Sequence, residues 1–199
     1  MFPRDILTFL INFIVMPMNT QNILVIYGSL RKQSSNKALA RALSELATEK
    51  MKVEVTGLDS LPFYNQDLES NFPAVAKDFK SKIRAADGII IVTPEYNRSV
   101  PGVLKNMLDW TSRPYGDSAW DGKPVGILGT SVGAIGAALA QYHLKQILNY
   151  LNTHVMGQPE FYLNATDKFD AEGKLTDEST KEHVKKFLAA FEAHVAKIT

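Results

Sequence analysis

The sequence contains no cysteine among its 199 residues. This absence excludes disulfide scaffolds, zinc–thiolate sites, iron–sulfur clusters and thiol nucleophiles, because each of them requires a cysteine sulfur. The four histidines lack the paired spacing of metal ligands, so we predict no metal site. A chain without cysteine is also typical of the cytoplasm, and we expect that location.

An excess of charge of one sign is also missing, since 22 Lys and Arg are matched by 21 Asp and Glu, for a net charge of +1. Proteins that bind nucleic acid or an anionic membrane surface do so with a basic field. We therefore expect neither as a partner. The apolar content of 45% is that of a globular protein and excludes disorder as the main state.

Long hydrophobic runs are missing as well. The apolar run over residues 6–16 is interrupted by Thr8 and Asn12, and it is shorter than the roughly 20 apolar residues that span a bilayer. No small-residue cleavage site follows it. We expect no membrane span, an N-terminal extension over residues 1–20 outside the fold, and a single domain over residues 21–199.

From residue 21 onward, short apolar runs alternate with helical patterns. This alternation predicts an α/β fold with a parallel sheet between two layers of helices, namely a three-layer flavodoxin-like sandwich with five strands in the order 2-1-3-4-5. The predicted strands cover residues 22–27, 52–56, 88–93 and 124–129, with a fifth inside 155–163, and the predicted helices cover 36–50, 73–86, 100–112, 135–151 and 176–197.

A polar segment over residues 28–36 follows the first predicted strand and leads into a helix. It contains several hydroxyl groups and two cations, which together with a helix N-terminus can hold a phosphate group. The segment has neither the Walker A pattern nor the G-x-G-x-x-G of dinucleotide folds. A plain polar connection capped by Ser35 or Asn36 stays open as the alternative, and we favour phosphate binding.

Two further segments follow strands that end at the same edge of the predicted sheet, at residues 93–99 and 129–136. The second of these reads G-x-S-x-G around Ser131, as the nucleophile elbow of α/β-hydrolases does. A serine hydrolase is therefore an alternative, with an acid at Asp167 or Asp170 and a base at His183 or His194. Against it, no oxyanion segment precedes the motif, and the other two polar segments would have no purpose.

The sequence resembles the NAD(P)H-dependent FMN reductase family, in its branch of quinone and chromate reductases. The resemblance runs from about Ile23 to Phe161 and is carried by two motifs. They read Gly28-Ser29-Leu30-Arg31-x-x-Ser34-x-Asn36 and Thr93-Pro94-Glu95-Tyr96-Asn97-x-Ser99-x-Pro101-Gly102-x-Leu104-Lys105-Asn106-x-x-Asp109-Trp110.

The resemblance implies a flavodoxin-like domain with bound FMN and with NAD(P)H as co-substrate. It implies three groups of cofactor-binding residues, for the phosphate, for the isoalloxazine ring and for the other edge of the flavin. Since FMN carries the chemistry, no side chain has to be a catalytic acid or base. The three groups are Ser29, Arg31, Ser34, Ser35 and Asn36; Pro94, Glu95, Tyr96 and Asn97; and Ser131 and Gly133.

The resemblance further implies a homodimer or homotetramer and small electron acceptors, namely quinones, azo compounds, free flavin or chromate. Some relatives carry an arginine where this chain has Leu139, and that arginine joins a tyrosine and a glutamate across a subunit interface. Tyr142 and Glu160 are present here, but without the arginine this network cannot form in the same way. A flavodoxin-like electron carrier that never meets NAD(P)H is the other alternative, although the near-neutral charge disfavours it.

Overall fold

The computed structural model describes residues 20–199, so all but the last residue of the extension expected over residues 1–20 lies outside the described part. Strands and helices alternate along the chain, with one 3-10 helix at Gln66–Asn71. The strands are β1 (Gln21–Tyr27), β2 (Met51–Thr56), β3 (Gly88–Thr93), β4 (Pro124–Ser131), β5 (His154–Val155) and β6 (Tyr162–Asn164), and the helices are α1 (Ser35–Glu45), α2 (Ala74–Ala85), α3 (Gly102–Thr111), α4 (Ala138–Tyr150) and α5 (Glu178–Val195).

The sheet is parallel, with the order β2-β1-β3-β4-β5, and β6 continues along the same edge of β4. The predicted order is thereby confirmed. The predicted fifth strand is divided, because β5 pairs with the start of β4 and β6 pairs with its end. The segment between them contains Pro159, which has no N–H group to give to a sheet.

Helices cover both faces of the sheet, as the alternating pattern predicts. On one face, α1 and α5 pack their apolar sides against β1, β3 and β4, with Leu39 and Phe187 fully buried. On the other face, α2, α3 and α4 do the same, with Ile83 and Leu144 fully buried. All six residues of β3 are buried, because β3 lies in the middle of the sheet with a helical layer on each side.

Helix α4 begins three residues later than its sequence pattern predicts, at Ala138 instead of Ile135. Gly136 and Ala137 have φ values of 61° and 67°, in the left-handed region. A right-handed helix cannot include residues with these values. The connection between β4 and α4 is therefore longer than expected, and it lies at the edge of the sheet where ligands bind in such folds.

Two kinds of feature are missing from residues 20–199. No helix there combines the length and the apolar composition needed to cross a bilayer. No group of three or more His, Asp and Glu side chains there is placed to hold a metal ion.

Candidate functional site

Three loops meet at the carboxyl edge of the sheet. We call them the first loop (residues 28–34, after β1), the second loop (residues 94–101, after β3) and the third loop (residues 132–137, after β4). The Gly28 N–H donates to the Val92 carbonyl at 2.9 Å, and Thr93 is in register with Gly129. The three polar segments singled out in the sequence are thus neighbours.

The first loop presents donors and a cation to the space above β1. Ser34 caps α1, because its hydroxyl oxygen accepts from the Lys37 N–H. Within residues 20–199 the N–H groups of Ser35 and Asn36, at the start of α1, donate to no protein acceptor, and Arg31 is exposed and forms no ion pair. Free N–H groups at a helix start beside a guanidinium suit a phosphate dianion.

The side chains of Ser29 and Asn36 already make hydrogen bonds within the protein. The buried Ser29 hydroxyl accepts from the Arg31 N–H at 3.4 Å. The Asn36 side-chain amide donates to the Thr130 carbonyl at 2.9 Å and accepts from the Thr130 N–H at 3.0 Å. Asn36 is only 3% exposed, so its side chain joins the start of α1, directly after the first loop, to the end of β4, and only its backbone N–H is left without a protein acceptor within the described residues.

The second loop contains a tight hairpin. Tyr96 and Ser99 exchange two backbone hydrogen bonds of 3.0 Å, and the residues between them, Asn97 and Arg98, have φ values of 50° and 65°. Two consecutive positive φ values are those of a type I′ turn, which favours asparagine at its first central position. The turn conformation therefore accounts for an asparagine at position 97. The same turn leaves the Tyr96 side chain exposed.

The Glu95 side chain turns away from the open side of the second loop and towards α4. Its Oε2 accepts from the N–H groups of Leu139 and Ala140, at 3.0 and 3.2 Å. Its Oε1 accepts from Arg98 at 3.0 Å. The carboxylate thus joins the second loop to the first turn of α4, directly after the third loop, and it is only 9% exposed.

The third loop is held mainly by its own backbone and by a residue that the sequence analysis missed. The Ser131 hydroxyl oxygen accepts from the Gly133 N–H at 3.2 Å. The Asn164 side-chain amide donates to the carbonyl oxygens of Val132 and Gly133, at 3.3 and 3.5 Å. The sequence could have indicated Asn164, because this polar residue directly follows the last predicted strand, at the edge of the sheet where the three loops lie.

No catalytic triad forms around Ser131 in the part of the chain that the structure describes. Within residues 20–199 no histidine makes a hydrogen bond to Ser131. One of the two candidate bases, His194, instead contacts the His154 carbonyl oxygen through Nε2 at 2.8 Å. The geometry does not support the serine hydrolase alternative.

Comparison with known proteins decides the family. The family model described as NADPH-dependent FMN reductase matches residues 21–168, which include all three loops. The chain belongs to this family. A 2-hydroxy-1,4-benzoquinone reductase from a Burkholderia species is 50% identical over 174 residues, covering 87% of this chain and 95% of that protein. A quinone reductase from Pseudomonas putida is 45% identical over 172 residues, covering 85% and 90%.

A solved structure gives the same result. The flavoenzyme NAD(P)H:(acceptor) oxidoreductase from Paracoccus denitrificans superimposes with a TM-score of 0.84 at 40% identity, covering 89% of this chain and 98% of that one. This FMN reductase is therefore an oxidoreductase that uses FMN as cofactor and NAD(P)H as co-substrate. The donors and the cation of its first loop fit the phosphate of FMN.

A second group of polar side chains in this FMN reductase lies on the outer side of α4. Lys145 donates to Glu160 at 2.6 Å, and this hydrogen bond lowers the pKa of Glu160. Burial, together with the neighbouring Glu160, raises the pKa of Tyr162. Glu160 thus takes its cationic partner, Lys145, from within the chain.

Proposed function

We propose that this chain transfers two electrons from NAD(P)H, through FMN, to small quinones. The proposal is supported chiefly by one observation. Its three loops meet at one edge of the sheet in a chain that is 50% identical to a 2-hydroxy-1,4-benzoquinone reductase. Azo compounds, free flavin and chromate are further acceptors that we still predict. The cytoplasmic location also stays a prediction.

In this proposal the first loop holds the FMN phosphate. The Arg31 guanidinium, the hydroxyls of Ser29, Ser34 and Ser35, and the N–H groups at the start of α1 are the donors. Asn36 takes part through its backbone, because its side chain is bonded to Thr130. Each charge-assisted hydrogen bond adds roughly 1.5–3 kcal/mol, so the loop can bind a dianion without a metal ion.

The second and third loops line the flavin ring in the same proposal. Pro94 is buried and stiffens the loop exit, while the exposed Tyr96 and Asn97 lie where a nicotinamide or a quinone reaches the ring. Ser131 and Gly133 face the other edge. FMN itself supplies hydride acceptance and donation, so the residues of this chain bind and orient, and none has to act as acid or base.

A two-step spectroscopic titration tests the reductase proposal. NADH or NADPH added without oxygen to the FMN-loaded protein is expected to bleach the visible absorbance of the flavin, because the cofactor accepts the hydride. A later addition of 2-hydroxy-1,4-benzoquinone is expected to restore it. Protein freed of FMN is the control and should transfer no electrons.

Other outcomes of this titration select the alternatives. A flavin that is never bleached by NADH or NADPH contradicts the reductase and favours the electron carrier. Bleaching without recovery after the quinone is added would support FMN as the cofactor and would contradict quinones as the acceptors. Covalent labelling of Ser131 by an ester-type probe, together with ester hydrolysis that needs no flavin, would support the serine hydrolase alternative.

We further propose that the chain forms a homodimer or homotetramer through the face of α3 and α4. A groove of about 1190 Å³ lies between these helices, and Tyr115 and Tyr150 in it are 81% and 78% exposed. Leu139 and Tyr142, on the same helix as Tyr150, are exposed as well. Large exposed apolar side chains gathered on one face are typical of a protein interface.

Replacing Tyr150 by glutamate is expected to reduce the particle mass from that of the oligomer to that of the monomer, because the charge cannot be desolvated inside an apolar interface. Light scattering at micromolar concentration measures the mass. The control is Phe63→Glu, at an equally exposed aromatic residue outside this groove, which should keep the wild-type mass. A wild-type protein that is already monomeric would contradict the proposal.

A further inference from the structure

Helix α4 has no capping side chain of its own. Its N-cap residue, Ala137, is in the left-handed region and offers no side-chain hydrogen bond. The Ala138 N–H donates to the Ile135 carbonyl, and the Gln141 N–H donates to the Ala137 carbonyl. The two N–H groups between them, of Leu139 and Ala140, both donate to the Glu95 carboxylate.

The cap of α4 therefore comes from a residue 44 positions away along the chain. Caps normally come from the residue that immediately precedes the helix. A cap that comes from the second loop has an additional effect, because it fixes the distance between the second loop and the start of α4, where the third loop ends. These two loops are the ones proposed to lie on either side of the flavin ring.

We infer that Glu95 is a positioning residue, whose carboxylate holds the second and third loops at the spacing that the flavin ring requires; this rests on the proposed function. The carboxylate accepts three hydrogen bonds within the protein, from Leu139, Ala140 and Arg98. It has little remaining capacity for a ligand. Glu95 thus acts on the flavin through the backbone it holds, and its side chain does not need to touch the ring.

Without this carboxylate, part of the third loop would have to be ordered when flavin binds. Fixing the backbone of one residue costs about 1–2 kcal/mol, which corresponds to a loss of affinity of roughly five- to thirtyfold. The loss should be the same for FMN and for riboflavin, because the ring is common to both. This distinguishes Glu95 from Arg31, whose loss affects only the ligand that carries a phosphate.

The experiment compares Glu95→Ala with Asp177→Ala. Asp177 is also a capping carboxylate: it accepts from the Thr180 N–H at 2.8 Å and from the Thr180 hydroxyl at 2.5 Å. These bonds lower the pKa of Asp177 to about 2. Asp177 caps α5, and its carboxylate bonds only to Thr180 and Lys168 within residues 20–199, to none of the three loops, so it controls for the general effect of losing a helix cap.

Both variants are expected to lower the Tm by a few degrees, roughly 2–6 °C, because each loses a helix cap. Only Glu95→Ala should also weaken FMN and riboflavin binding, by the same factor. Flavin fluorescence titration of the flavin-free proteins measures both affinities. Glu95→Gln should restore most of the affinity, to within about threefold, because its amide oxygen still accepts from the two N–H groups.

Three results would overturn the inference. Glu95→Ala could bind both flavins as tightly as Asp177→Ala does. It could lose affinity for FMN alone, which would place its effect at the phosphate. Glu95→Gln could be as weak as Glu95→Ala, which would make the charge and not the position decisive. A wild-type protein that binds neither flavin would instead contradict the proposed function itself.

Discussion

Replacing Arg31 by alanine is expected to weaken FMN binding by roughly one to two powers of ten, the equivalent of one charged side-chain hydrogen bond. The phosphate of FMN brings nearly two negative charges to the first loop. The N-terminus of α1 stabilises only part of this charge, since a helix dipole contributes about 0.3–1 kcal/mol. The exposed guanidinium of Arg31 has no acidic partner within residues 20–199, so its whole charge is available to the ligand.

Titrations of FMN and riboflavin into the two flavin-free proteins measure this effect. Riboflavin has no phosphate and should bind both proteins almost equally. Lys32→Ala is the matched control, because Lys32 is the adjacent exposed cation and falls at a variable position of the motif. Equal FMN affinities for the wild type and Arg31→Ala would remove Arg31 from the phosphate site and would weaken the assignment of the whole first loop.

Replacing Gly136 by alanine is expected to destabilise the fold by about 2–5 kcal/mol, and to lower the Tm by roughly 5–20 °C. Gly136 has a φ of 61°, which L-residues rarely adopt. A β-carbon there would also lie 2.6 Å from the backbone nitrogen of Leu163 and 2.7 Å from the carbonyl carbon of Tyr162. Backbone atoms of β6 cannot yield as the end of a side chain can, so strain and overlap act together.

Two other glycines separate these contributions when all three variants are followed by thermal unfolding. Gly122 has a φ of 69° and nothing within 4 Å of an added β-carbon, so Gly122→Ala should cost only the backbone strain, about 1–2 kcal/mol. Gly133 has only the Ser131 hydroxyl nearby, at 3.6 Å. Gly133→Ala should leave the stability nearly unchanged and affect FMN affinity instead. A Gly136→Ala variant no less stable than Gly122→Ala would show that β6 can move aside.

The layers could be predicted from the sequence because local patterns carry them, and the sheet order follows from the flavodoxin-like fold class that the alternating pattern indicates. Six buried residues in a row over β3 and helical periodicities between the strands define a parallel sheet covered on both faces. The same patterns place the three loops at one edge of the sheet. What they do not contain is the division of the last strand into β5 and β6.

The details of the site could not be predicted because they depend on contacts between distant residues. Asn36 and Glu95 were expected among the residues that bind flavin, yet their side chains bond to backbone groups 94 and 44 positions away. The third loop was also incompletely predicted, because the sequence analysis considered only the G-x-S-x-G pattern around Ser131. Gly136, three residues after that pattern, is needed for the close approach of β6, a requirement that no local pattern reveals.

The bonds made by Asn36 and Glu95 also determine how the edge of the molecule opens. Surface loops usually unfold locally and independently, at little cost in free energy. Here the start of α1, directly after the first loop, is fastened to Thr130 through Asn36, and the second loop is fastened to Leu139 and Ala140 through Glu95. Opening of the second loop, or of the first loop together with the start of α1, therefore leaves backbone N–H groups of α4 or β4 without partners. We expect the three loops to open as one cooperative unit, so that the lifetime of a bound flavin is governed by the opening of the whole edge.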